Sequence, residues 1–106
     1  VHFFQYAKTP RFQRFDYGQD LNVLNYGAQQ PPVYNLTNVK VPVMVLWGKN
    51  DWLVVPKDVQ RTIKELGNVV EDVQVQDPLF NHLDFTYAKN AKTQVYDRCL
   101  NFLNLE

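Results

Sequence analysis

The run Val41-Pro42-Val43-Met44-Val45-Leu46-Trp47 is apolar without a break and ends at Gly48. A strand with one wet face alternates apolar and polar side chains, whereas one with no polar position buries both faces. That happens in a parallel sheet covered by helices, so this segment narrows the fold class more than any other. The chain that follows agrees. Pro56 to Gly67 reads as a helix, with proline at its first position, Val59, Ile63 and Leu66 on one stripe, and Gly67 as the stop. Val69 to Gln76 alternates in part and is rich in β-formers, which predicts a second strand. Asn90 to Leu105 reads as a closing helix with Ala91, Val95, Cys99, Phe102 and Leu103 on the buried side. Strand, helix, strand, helix is a βαβα pattern of the α/β class, with two parallel strands joined by a right-handed crossover. Two strands alone make a poor sheet, so the pattern predicts that this chain is part of something larger.

The first third is of another kind. Phe3, Phe4 and Ala7 fall at helical spacing and Pro10 ends the run, so residues 1–9 read as a short helix. Residues 11–38 carry Gly18, Gly27, Pro31, Pro32, many amides and scattered aromatics, and read as loop and short strand. Those aromatics need something to pack on, and the neighbouring sequence offers little.

Length and charge exclude several classes. A chain of 106 residues suits one domain, and its 11 basic and 11 acidic residues cancel. No charge run gives the footprint of a nucleic-acid binder or a polybasic anchor. No segment reaches the roughly 20 apolar residues of a membrane span. The opening VHFFQYAKTPRF lacks the basic and apolar regions of a signal peptide, and there is no initiator Met, which suggests a mature product or an excised piece. Cys99 is the one cysteine, so no internal disulfide is available. Asn35-Leu36-Thr37 fits the N-glycosylation acceptor pattern.

In open α/β sheets, ligands sit beyond the carboxyl ends of the strands. Asp51 follows the first strand there and His82 the second, one βαβ repeat apart. Adjacent parallel strands lie only about 4.8 Å apart, so the two loops can touch. An Asp and a His meeting there can form the base half of a Ser-His-Asp relay. Each residue also has a plainer explanation: a turn or cap aspartate, and a structural histidine. Spacing alone leaves both open. His2, at a terminus expected to fray, has no assigned role.

The segments GKNDWLVVPKDV and FNHLDF together resemble the C-terminal end of the acid lipases, the family of gastric lipase, lysosomal acid lipase and their insect relatives. The matching positions are Gly48, Asp51, Asp58-Val59 and His82-Leu83-Asp84-Phe85. FQRFDYG and QPPVYNLTNVKVPV also resemble family segments, so the likeness covers essentially the whole chain in order and spacing. It implies the C-terminal βαβα piece of an α/β-hydrolase sheet, residues 39–106, preceded by an irregular, aromatic-rich, cap-derived segment, residues 1–38. It implies His82 as general base, Asp51 as its orienting carboxylate, a glycan at Asn35, a neutral lipid or sterol ester as substrate, and a secreted or lysosomal location. No cofactor is implied.

Two departures matter. The G-x-S-x-G elbow that carries the nucleophile in α/β-hydrolases is absent, and the sequence contains no serine. The oxyanion-hole loop is absent too, and Val55 stands where close relatives often carry an acidic residue. Cys99 is a poor substitute, mid-helix on an apolar face and after His82 in chain order. Thr37, Thr62, Thr86 and Thr93 have no elbow around them, and two distant histidines make no metal site. The leading expectation is a lipase piece that supplies Asp and His while the rest of the hydrolase core supplies Ser. The alternative is a non-catalytic binding protein derived from a truncated hydrolase.

Overall fold

The structure is a computed structural model and describes residues 1–104. The chain forms two compact units, Val1–Asn35 and the remainder from Leu36.

In the second unit, β1 (Val43–Trp47) and β2 (Val69–Gln74) pair in parallel, from Val43↔Val69 to Trp47↔Gln74, with an irregularity after Val43. Helix α3 (Pro56–Glu65) connects them, Pro56 at its first turn and Val59 buried. Along β2 the burial alternates, with Val69, Glu71 and Val73 half-covered and Val70, Asp72 and Gln74 exposed. All five residues of β1 are only half-buried, short of the full burial its apolar run predicts. The reason is the sheet's width: among the described residues it has two strands, so one edge of each is unpaired.

Gly67 does not act as a left-handed helix stop. The helix ends because Leu66 turns extended, at φ −68° and ψ 141°. Gly67 is needed for closeness: a Cβ there would lie 2.5 Å from the Thr37 carbonyl oxygen and 3.0 Å from that of Val39, beside the 3-10 turn Leu36–Asn38.

The core is small. Val75, Phe80 and Val95 are buried together, with Leu46, Phe85, Ala88 and Cys99 packed around them. The closing helix begins at Ala91, passes through a π-helical turn (Lys92–Tyr96) and continues as α5 (Asp97–Leu103); the predicted final residue, Leu105, lies outside the described residues. Ala91 and Val95 are buried, and Cys99 and Phe102 half-buried, but Leu103 is 70% exposed. It sits at the end of the helix, outside the core cluster. A short helix, α4 (Asp84–Tyr87), which periodicity did not reveal, follows the second strand's loop.

The first unit holds α1 (His2–Tyr6) and α2 (Gln19–Tyr26). The second is a correction, because that stretch reads as loop. It is bounded by Gly18 (φ 90°) and Gly27 (φ 76°), conformations that suit glycine. Its inward anchor is polar: Asn22, 1% exposed, accepts from the Tyr17 amide at 2.9 Å and donates to Asp16 Oδ1 and Gln29 O, each at 2.8 Å. The Asn22 side chain, then the Gly18 amide, hold the Asp16 carboxyl below its ordinary pKa. A lone antiparallel bridge joins Gln13 and Val33. The aromatics pack mostly on one another, as in Phe15 against Tyr17 (4.8 Å) and Phe12 against Tyr34 (5.3 Å). His2 is not frayed: its Nε2 bonds to Gln13 O at 3.2 Å and its ring stacks on Tyr6.

Two substitutions test these packing claims. Gly67→Ala is expected to cost about 2 kcal/mol, because its Cβ meets backbone oxygens that cannot swing aside. Phe80→Ala is expected to cost about 3–5 kcal/mol. Denaturant midpoints read both, and an unchanged midpoint for Gly67→Ala would remove the close approach from the account.

Candidate active site

The site begins where β1 ends. A Cβ on Gly48 would fall 2.6 Å from the Phe80 carbonyl oxygen, so only glycine lets the two post-strand loops lie this close. Two further contacts hold them together. The Val75 amide donates to Trp47 O at 2.8 Å, extending the ladder past β2. The Asn50 side-chain amide donates to Leu79 O at 2.9 Å, loop to loop.

Asp51 lies in the first loop and is 5% exposed. Its Oδ1 accepts from the Leu53 and Val54 amides at 3.0 and 2.8 Å. Its Oδ2 meets His82 Nδ1 at 3.1 Å. One carboxylate oxygen thus serves the turn and the other contacts the imidazole. Burial pushes the Asp51 pKa up, but the Val54 amide, His82 and the Leu53 amide more than offset it, and the carboxyl ends below its usual 3.8. Asp51 is thus an anion at neutral pH. An anion facing Nδ1 favours the tautomer with the proton there, leaving Nε2 with a free lone pair.

His82 is half-exposed and stands between two apolar clefts. One, of 530 Å³, runs along Leu46, Trp47, Val54, Val59 and Phe85 and reaches both Asp51 and His82. The other, of 310 Å³, is lined by Trp52, Leu53 and Leu83 with Asn50 and Asn81.

The other candidates fall elsewhere. Cys99 packs against the Val75–Phe80–Val95 core. Thr62 and Thr86 do line the larger cleft, but the Thr62 hydroxyl donates to Asp58 O within its own helix, at 3.1 Å. Among the described residues, no three His, Cys, Asp or Glu side chains converge to hold a metal ion, and no helix is long and apolar enough to cross a membrane. Asn35 is exposed. The structural roles of Gly48 and Asn50 did not emerge from sequence, because a close approach and a loop-to-loop bond leave no periodic trace.

No family model matches the chain. Curated relatives do. Lipase 3 of Drosophila melanogaster is 38% identical over 94% of this chain and 25% of its own length. Gastric triacylglycerol lipase of Bos taurus is 36% identical over 97% of the chain and 26% of its own length. Lysosomal acid lipase/cholesteryl ester hydrolase of Homo sapiens is 32% identical over the same shares, 97% and 26%. The chain spans about a quarter of the length of the curated relatives it matches. It is homologous to these lipases and corresponds to their C-terminal part.

The Asp51 pKa fixes the sign of a pH effect. Its folded pKa lies below the unfolded 3.8, so its stabilising share is complete well above that value. The share is lost as pH falls through 3.8 and on through the folded pKa. Asp51→Asn should therefore flatten the acid limb of a stability-versus-pH curve, as read by denaturant unfolding. An acid limb as steep as the wild type's would contradict the geometry.

Proposed function

We propose that this homologue of the acid lipases is the C-terminal piece of an α/β-hydrolase that cleaves neutral lipid or sterol esters, and that Asp51 and His82 are two members of its Ser-His-Asp relay. The observation that carries the reading is the 3.1 Å contact between His82 Nδ1 and a buried Asp51 carboxylate, at the carboxyl ends of neighbouring parallel strands. The substrate class draws on relatives named for triacylglycerol and cholesteryl esters. The unpaired sheet edges are where the remaining strands would add. In this reading residues 39–106 belong to the hydrolase core and residues 1–38 derive from the cap over the acyl chain.

The geometry supports the following roles. A serine on the rest of the protein attacks the ester carbonyl while His82 Nε2 takes its proton. Asp51, fixed by the Leu53 and Val54 amides, stabilises the imidazolium that forms. The imidazolium then protonates the departing alcohol, leaving an acyl-serine. Water, deprotonated by the same nitrogen, attacks the acyl-serine; the imidazolium returns that proton to the departing serine oxygen, and the fatty acid is released. The oxyanion hole also belongs to the rest of the protein, so the isolated 106-residue chain is expected to be inert. An apolar cleft beside His82 fits an acyl chain. A glycan on Asn35 fits a secreted or lysosomal protein.

In the full-length protein, His82→Ala and Asp51→Ala are each expected to lower kcat on a soluble ester by at least about 10³-fold, His82→Ala with little change in folding. A fluorophosphonate should label one serine of the wild type rapidly and of both variants slowly. Wild-type rates in both variants would sink the relay and favour a non-catalytic role for this region. Separately, Asn35→Gln should remove one glycan's mass from material made in a secretory host. An unchanged mass would mean that Asn35 is not modified.

A further inference from the structure

His82 has little packing to hold it. Its imidazole is 46% exposed, and the next residue, Leu83, is 62% exposed. The backbone around it is held instead by a reciprocal pair of side chains. Asn81 Oδ1 accepts from the Leu83 and Asp84 amides, at 3.0 and 3.1 Å. Asp84 Oδ2 accepts from the Asn81 amide at 2.9 Å. This is the logic of a capping box, two side chains three residues apart each satisfying the other's backbone amide. It brackets His82 on both sides.

The box is pinned in turn. Phe80, immediately before it, is 1% exposed. Phe85, immediately after, meets Phe80 edge to face at 4.9 Å. The Tyr96 hydroxyl, from the π-helical turn, donates to the Phe85 carbonyl. The segment Phe80 to Phe85 thus alternates in purpose: aromatic peg, box residue, histidine, free leucine, box residue, aromatic peg. A carboxylate two residues from an imidazole could compete for it. Here the Asp84 carboxylate is engaged by the Asn81 amide, and Asp51 is what the ring contacts.

We infer that Asp84, with Asn81, is a positioning residue that sets the His82 backbone so that Nδ1 reaches Asp51 and Nε2 faces the reacting serine. This rests on the reading of His82 as general base. Relay geometry tolerates little error: a displacement near 1 Å can cost about 100-fold in rate.

The experiment uses the full-length protein, a soluble short-chain ester and a fluorophosphonate. Final labelling stoichiometry counts folded sites, while labelling rate and kcat read the relay. Asp84→Ala is expected to lower both rates by about 10- to 100-fold per labelled site with KM little changed. Asp84→Asn keeps an acceptor oxygen for the Asn81 amide and should recover most of the rate. Asn81→Ala should behave like Asp84→Ala. Asp77→Ala, which removes the carboxylate that accepts from the Leu79 amide at 2.9 Å in the same loop, should leave the rates within about threefold, since it does not touch the box. Wild-type rates per site in Asp84→Ala, or an equal loss in Asp84→Asn, would overturn the inference. His82→Ala separates the two failures: if it is slow while Asp84→Ala is normal, only the positioning role falls; if it is itself normal, the relay falls first.

Discussion

A buried carboxylate must be surrounded by donors, or it is not stable as an anion. Asp51 meets that demand with two backbone amides and one imidazole. Much of the second unit is arranged so that these donors arrive together. β1 and β2 lie side by side in parallel, which brings their carboxyl-end loops to one place. Gly48 removes the side chain that would keep the loops apart. Asn50 ties one loop to the other. Without the parallel pairing, Asp51 and His82, 31 residues apart in sequence, would have no reason to meet.

The same unit is thinly covered. Its fully buried apolar residues are few, and each strand has an unpaired edge among the described residues. Trp52 and Leu53 beside His82 are 83% and 75% exposed. Large exposed apolar side chains around a satisfied polar pair mark an interaction surface. The half-buried β1 says the same from inside the sheet, since a strand without a polar position is written for two covered faces.

Much of this was legible in the sequence, for identifiable reasons. The βαβα order shows because apolar periodicity changes from continuous to helical to alternating as the chain passes from β1 to α3 to β2. The Asp51–His82 pair shows because one βαβ repeat returns the chain to the same end of the sheet. What stayed hidden was held by contacts without a period. Helix α2 depends on Asn22, a buried amide that apolar patterns pass over. Gly67 looks like a helix stop but serves a close approach to the Thr37 and Val39 carbonyls. The Asn81–Asp84 box spans four residues, too short for periodicity to report. His2 is fixed by its bond to Gln13 O and its stack on Tyr6, contacts that its place at the terminus does not foretell.

The relay proposed above makes His82, oriented by Asp51, the base for a serine carried elsewhere in the protein. A crystal structure of the full-length protein after fluorophosphonate treatment tests it most directly. The account expects a phosphonylated serine whose Oγ lies within hydrogen-bond reach of His82 Nε2, about 2.6–3.2 Å, with Nδ1 still on Asp51. A phosphonylated serine beside a different histidine, with His82 facing solvent or protein far from the adduct, would contradict it.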